Sequence, residues 1–315
     1  MIPLDVVTLG ETMVSLRTGT PLRLGGTMTM TMAGAESNVA IGLARLGHRV
    51  RWGGRTGSDE VGAFILRTLR AESVLVDTVV VDATRPTGLM LAERRVADVS
   101  RVSYYREGSA GSALDPADAA ACLAGTPRVL HLTGITPALS RSAAAAVATA
   151  VELAHHAGTL VSVDVNYRSR LWTTKEARPV LSELVRRADL VIASEEELGL
   201  VVNVPDDSAA FEELAASGVS GLVIKRGARG ATVWHPGGVH HAPAIRVDVL
   251  DTIGAGDAFT AGYLSGVLDG LSPDVALHRG TVTAAFAVAC VGDWEGLPTR
   301  DELSLLDAEP GATVR

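Results

Sequence analysis

The sequence predicts an α/β protein with one mostly parallel sheet and helices on both of its faces. Two observations carry this. Short β-branched runs bounded by Gly, Pro or Asp recur along the 315 residues. Stretches with a helical 3.6-residue period separate most of them, and strands that alternate with helices imply a parallel sheet. In such a sheet, ligands bind beyond the carboxyl ends of the strands.

In chain order, the expected strands are Val6 to Leu9, Val129 to Leu132, Leu160 to Val165, Leu190 to Ala193 and Leu222 to Lys225. The expected helices are Glu36 to Leu46, Glu60 to Leu69, Arg141 to His156, Ala177 to Arg187, Phe211 to Ala216 and Ala258 to Leu268. Two segments break the rhythm, Met13 to Met32 and Gly88 to Arg106. Both alternate apolar and polar residues with no helix between successive strands, which predicts a small separate sheet. Within the first, Thr27 to Met32 places Met28, Met30 and Met32 on one face of a strand. A one-sided apolar face has to cover something: the ligand site, the main sheet, its own domain or the same sheet of a second subunit. The tail from Glu309 onward reads as a frayed end.

Composition excludes several classes. Hydrophobic residues make up 47% and charged residues 20%, which suits a globular core and not a disordered chain. The net charge of −8, with no basic patch, argues against nucleic acid as a partner. The Ala-rich run Ser142 to Val151 is too short to span a bilayer. Met1 to Thr12 lacks the layout of a signal peptide and reads as the first strand, so the expected location is cytoplasmic, with no membrane partner. Cys122 and Cys290 are far apart in sequence and read as buried small hydrophobes. The eight histidines show no metal-type spacing and read as surface or loop residues.

The chemistry is concentrated in Asp251-Thr252-Ile253-Gly254-Ala255-Gly256-Asp257, which precedes an apolar helical run. Gly254, Ala255 and Gly256 let backbone approach a ligand closely. The free N–H groups of a helix start, together with the helix dipole, form an anion site. Asp257 falls in the first turn, where a carboxylate can take a proton from a hydroxyl while the N–H groups hold a phosphoryl group. The plainer alternative is a helix-start aspartate. From average composition, however, the heptapeptide's fixed positions recur by chance only about once in ten thousand such chains. No Gly-Lys-Ser/Thr follows, so this is not a Walker loop.

This heptapeptide resembles the carboxy-terminal signature of the ribokinase-like, or PfkB-type, carbohydrate kinases. Gly34-Ala35-Glu36-Ser37-Asn38 through Gly47, continued by Gly54 to Gly62, resembles their other signature. The likeness spans essentially the whole chain. It implies a ribokinase-like three-layer sandwich, a single kinase domain over 1–315 with a discontinuous lid at about 12–33 and 86–108. Within the family the chain is most similar to 2-keto-3-deoxygluconate kinases, through Tyr104 to Leu114, Asp164-Val165-Asn166-Tyr167-Arg168 with Leu171-Trp172, and Gly292-Asp293 before Glu295 to Pro298.

The resemblance implies roles. Asp257 is the base, and Gly254, Ala255 and Gly256 supply the anion hole. Gly34, Asn38, Met90, Tyr104, Arg106, Arg168 and Asp293 line the sugar site, with Arg106 and Arg168 pairing a carboxylate. Asn166, Ser194, Lys225, Gly227 and Gly230 border the nucleotide. Glu197 organises Mg2+ through water, and Asp251 is a second metal candidate. Two residues depart from the pattern: Ser194 stands where the family often has Asn, and Met90 where these kinases tend to have Tyr. The implied cofactors are ATP and Mg2+, with room for a monovalent cation. The implied partners are a small sugar or sugar acid and a second copy bound through the lid. The expected reaction is phosphorylation of the primary hydroxyl of 2-keto-3-deoxygluconate. A kinase for a neutral sugar or nucleoside is the first alternative, and a non-catalytic sugar or nucleotide sensor is the second.

Overall fold

The computed structural model describes residues 3–96 and 99–307. The tail expected to fray from Glu309, and Ala97 and Asp98 of the second strand-rich segment, lie outside the described residues. Strands and helices are numbered in chain order.

The β-branched runs form an eight-stranded sheet in the order β14-β13-β12-β11-β10-β9-β1-β4. Its parallel strands are β1 (Val6–Leu9), β4 (Val50–Gly53), β9 (Val129–Thr133), β10 (Leu160–Asp164), β11 (Leu190–Ser194) and β12 (Gly221–Lys225). The antiparallel strands β13 (Ala231–His235) and β14 (Gly238–Ala242) close one edge.

Side chains alternate across this sheet with period two. Val7, Leu9, Leu130, Leu132, Val161 and Val163 enter one core with α3 (Pro116–Cys122), α5 (Arg141–Ala157), α6 (Thr174–Arg186), α7 (Glu195–Val201) and α8 (Asp207–Ala215). Val6, Val50, Trp52, Ile192 and Val223 enter the other, with α1 (Ala35–Arg45), α2 (Glu60–Ala71), α9 (Ala255–Leu268) and α10 (Pro273–Val288). The short α4 (Thr136–Leu139) follows β9. The chain runs from β1 to β4 on one side and to β9 on the other, so the topological switch point lies between β1 and β9.

The two strand-rich segments form a separate sheet, ordered β3-β2-β7-β8: β2 (Met13–Thr18), β3 (Thr29–Ala33), β7 (Leu89–Val96) and β8 (Val99–Tyr105). Its central pair, β2 with β7, is parallel. A two-stranded parallel ribbon of β5 (Arg55–Gly57) and β6 (Val80–Asp82) lies apart.

Three sequence expectations need correction. His131 is not a surface residue: it sits in β9, fully buried, with its imidazole held neutral by burial at a pKa of about 3. Cys122 is buried, its thiol pushed up to about 12 by burial, but Cys290 is only partly covered. The methionine stripe is divided: Met32 is buried in the main core while Met28 is 41% and Met30 48% exposed.

Candidate active site

A cleft of about 1240 Å³ runs along the carboxyl ends of the parallel strands, with the small sheet as its other wall. Met13, Ala33 and Met90 present the inner face of that sheet to it. Loops after β1 and β10 supply Glu11 and Asn166, and the last residues of β11 and β12 are Ser194 and Lys225.

At one end, α9 begins at Ala255 with Gly254 as its N-cap, and no side chain caps it. Gly254 has φ +76°, and a Cβ there would overlap the carbonyl oxygen of Asp293. The left-handed turn and the close approach of residue 293 both require glycine. A Cβ on Gly256, by contrast, would stand 3.5 Å from Lys225 Nζ, an ordinary contact. Ala255 donates its N–H to the Thr252 carbonyl at 3.4 Å and does not line the cleft. Of the anion-hole residues expected from sequence, Ala255 is therefore set aside. The donors left by the uncapped first turn are the N–H groups of Gly256 and Asp257.

Asp257 is buried, and its Oδ2 accepts a hydrogen bond from Asn38 Nδ2 at 2.8 Å. Burial pushes its carboxyl up to about 7, against the Asn38 hydrogen bond and the charge of Arg168. A carboxyl that titrates near neutrality, beside an uncapped helix start, suits proton transfer. Asn38 Oδ1 is buried with no partner, leaving an acceptor for a ligand hydroxyl. Gly34 precedes α1, where a Cβ would stand 2.7 Å from the Glu11 carbonyl oxygen.

Beside this helix start, Lys225 Nζ pairs with Asp164 Oδ2 at 2.5 Å. Burial works against the lysine's charge, but Asp164, Glu197 and Asp257 outweigh it, and its pKa lies above the ordinary value. Asp164 also accepts from Thr260 Oγ1 at 3.2 Å, while its Oδ1 is buried without a partner. Glu197 forms a capping box with Ser194 and also accepts the Tyr167 N–H at 2.8 Å. Ser194 thus fixes the Glu197 carboxylate through α7. No group of three acidic or histidine side chains forms a metal cage among the described residues. An oxygen without a partner on Asp164 and an oriented Glu197 fit instead a magnesium ion that keeps its waters and is carried on a nucleotide.

Residues 4–300 match the family described as pfkB family carbohydrate kinase. The chain belongs to this family. It is 36% identical to a 2-dehydro-3-deoxygluconokinase of Bacillus subtilis (strain 168), over 97% of this chain and 96% of that one. It is also 36% identical to one of Thermoproteus tenax, over 97% and 95%. A crystal structure of a PfkB protein from Polaromonas sp. JS666 superposes with a TM-score of 0.86 at 37% identity, covering 96% of this chain and 99% of that one.

For this PfkB kinase the cleft brings together Gly34, Asn38, Met90, Tyr104, Arg106, Asn166, Arg168, Ser194, Glu197, Lys225, Gly227, Gly254, Gly256, Asp257 and Asp293. Gly230 lies outside it; a Cβ there would strike the backbone of Ala242, so packing of the β12–β13 turn accounts for that glycine. Asp251 is outside as well. Its carboxylate is taken by Arg17 at 3.1 Å and by the Ile253 N–H at 3.1 Å, which removes it as a metal candidate. Arg106 and Arg168, both expected to pair a substrate carboxylate, differ in what the fold has already done with their charge. Arg106 already pairs with the buried Glu11 at 2.6 Å. Arg168 is exposed at the cleft wall and has no ion-pair partner among the described residues.

Sequence reasoning missed Asp164, Glu11, Glu36 and Arg17. Asp164 ends a strand at its carboxyl edge, and Glu11 follows another, so the strand-end rule could have found both. Glu36 is buried, accepting from Thr133 and Thr136 hydroxyls at 2.6 and 2.7 Å, and burial raises its pKa.

Two predictions follow from this geometry. Gly254→Ala should lose about 1–2 kcal/mol or more of stability in chemical denaturation, because the side chain meets both a left-handed φ and the residue 293 backbone. Gly256→Ala should fold within about 1 kcal/mol of wild type.

The folded pKa of Asp257, about 7, lies above its ordinary 3.8. The stability this group lends is complete below about pH 4 and is lost progressively as pH rises to 7, where its ionised, proton-accepting form takes over. Asp257→Asn should therefore gain thermal stability relative to wild type from about pH 4 to about pH 7, with no further gain above, while kcat drops by roughly 10²–10⁴. A parallel pH dependence of Tm in the two proteins would refute the burial-raised pKa.

Proposed function

We propose that the protein transfers the γ-phosphoryl group of Mg·ATP to the primary hydroxyl of 2-keto-3-deoxygluconate, acting as a 2-dehydro-3-deoxygluconokinase. The observation that carries the reaction type is Asp257: buried, near-neutral in pKa, held by Asn38, and seated in the uncapped first turn of α9. Family membership and the two 36% relatives support the reading and the substrate.

In this reading Asp257 accepts the proton of the attacking hydroxyl, which Asn38 and Asp293 help to orient. The Gly256 and Asp257 N–H groups and the Lys225 ammonium receive the negative charge that develops on the phosphoryl oxygens. Asp164 and Glu197 would hold the hydrated magnesium ion, whose charge would offset that of the phosphates. Positioning and fixed charge account for the catalysis.

The acid preference is assigned chiefly to Arg168, because Glu11 neutralises Arg106. Arg106 then serves as a held hydrogen-bond donor, and Tyr104 stacks near it at 5.8 Å. Met90 offers no hydroxyl, which weakens binding without changing its sign. Neutral sugars of the same size should lose on the order of tenfold to a hundredfold in kcat/KM. Arg168→Ala should erase most of that difference by raising KM for the acid. Turnover of fructose or ribose above keto-deoxygluconate would transfer the assignment to a neutral-sugar kinase, and no turnover on any panel member would leave a binding protein.

A second copy is the proposed partner. The inner face of the small sheet is spent on the cleft. The outer face carries Leu16, Met30 and Leu91 in register, with Met30 48% and Tyr105 61% exposed. An apolar sheet face of this kind is expected to be covered. Replacing both Met28 and Met30 with Asp should lower the solution mass in light scattering; an unchanged mass would show that the face is only a surface hairpin.

A further inference from the structure

The small sheet is joined to the catalytic end of the cleft by one side chain that the reaction scheme above does not use. Arg17 projects from β2. Its Nη1 donates to Asp251 Oδ2 at 3.1 Å, and its Nη2 donates to Asp293 Oδ2 in a short ion pair. The two carboxylates belong to different segments. Asp251 opens the turn that leads to α9 and holds that turn through the Ile253 N–H. Asp293 follows α10, lines the cleft, and places its carbonyl against Gly254. All three side chains are largely buried, at 15%, 15% and 8% exposure for Arg17, Asp251 and Asp293. A second link runs alongside, from Thr31 Oγ1 on β3 to Glu295 Oε1 at 2.6 Å.

We propose that Arg17 is the positioning residue that couples closure of the small sheet to the working state of the sugar site. With the sheet over the cleft, one guanidinium sets the turn carrying the Gly256 and Asp257 donors and keeps Asp293 ionised as an acceptor for a substrate hydroxyl. The charges facing Asp293 are Arg17 from β2, Asp251 from the turn before α9 and Glu295 from its own loop. Burial raises the Asp293 pKa to about 6, Arg17 draws it down, and Glu295 and Asp251 push it up. Without Arg17 only burial and like charges remain, so the pKa would rise further, and the protonated acid would offer the sugar a donor in place of an acceptor. Swinging the sheet away separates the same pair. An open cleft is thus a cleft with a poor sugar site, and substrate binding and closure favour each other.

The inference rests on the kinase reading, and the experiment separates the two. Wild-type turnover of keto-deoxygluconate decides that reading by itself. Arg17→Met and Arg17→Lys are then compared with wild type by three measurements. In wild type Asp257 sets the acid limb of the kcat/KM profile for the sugar; in Arg17→Met that limb should steepen toward a two-proton dependence as Asp293 rises to join it. KM for the sugar should rise about tenfold or more, with a smaller change in KM for ATP. Arg17→Lys keeps the charge and should restore the acid limb while recovering KM only in part. Hydrogen exchange needs no turnover: amides of β2 and β3 should exchange faster in Arg17→Met than in wild type without ligand. A pH profile and exchange pattern that superimpose on wild type, with only a lower Tm, would reduce Arg17 to a structural ion pair and overturn the proposal.

Discussion

The rest of the site is arranged around a carboxylate buried at the start of an uncapped helix. Removing Asp257 from water is unfavourable for its charge, and the pKa near neutrality is the measure of that. The surroundings offset the cost only partly: Asn38 donates one hydrogen bond, and the charges of Lys225 and Arg168 act at longer range. Full compensation, by a bidentate arginine for example, would leave an aspartate too acidic to accept a proton near pH 7. The partial compensation explains why the cleft floor needs a lysine tied to a different carboxylate, Asp164, and why the helix start has no side-chain cap. A cap would occupy the donors that an anion has to use.

The same economy of charge runs through the cleft walls. Glu11 consumes most of the charge of Arg106, Arg17 is shared between Asp251 and Asp293, and Lys225 answers Asp164. Arg168 is left as a cation without an ion-pair partner on the wall among the described residues. Specificity for an anionic sugar then depends less on how many arginines the sequence contains than on which of them the fold has already neutralised.

Much of the fold was legible because the central strands are buried on both faces. Val6 and Val7 enter opposite cores, as do Val129 and Leu130, so each such strand reads as a continuous β-branched run bounded by turn residues. The helix over residues 273–288 was not legible. It is buried on several sides, by Ala276, Leu277, Gly280, Thr283 and Ala287 among others, and so has no amphipathic stripe to detect. The cleft residues found from sequence lie in two local motifs or at strand ends. Arg17 gives no local signal: its partners are 234 and 276 residues away, and only the tertiary structure brings them together. Arg106 was found, but its neutralisation by Glu11 was not, since an ion pair across 95 residues is equally invisible.

The strand order also constrains how the chain can assemble as it is made. Val6 in β1 pairs with Val50 on one side but with Val129 on the other. At ribosomal speeds the second partner emerges on the order of ten seconds after the first strand. Through that interval a mostly apolar strand has an open edge, a configuration prone to pairing with other chains. The small sheet waits as well, because β2 needs β7, some seventy residues later, before its parallel pairing can form. Growth of the nascent chain therefore adds the catalytic helix α9, and α10 after it, only once every strand of the sheet has been made. A chain cut short before residue 255 would carry its longest-exposed strand and lack the helix that holds its base.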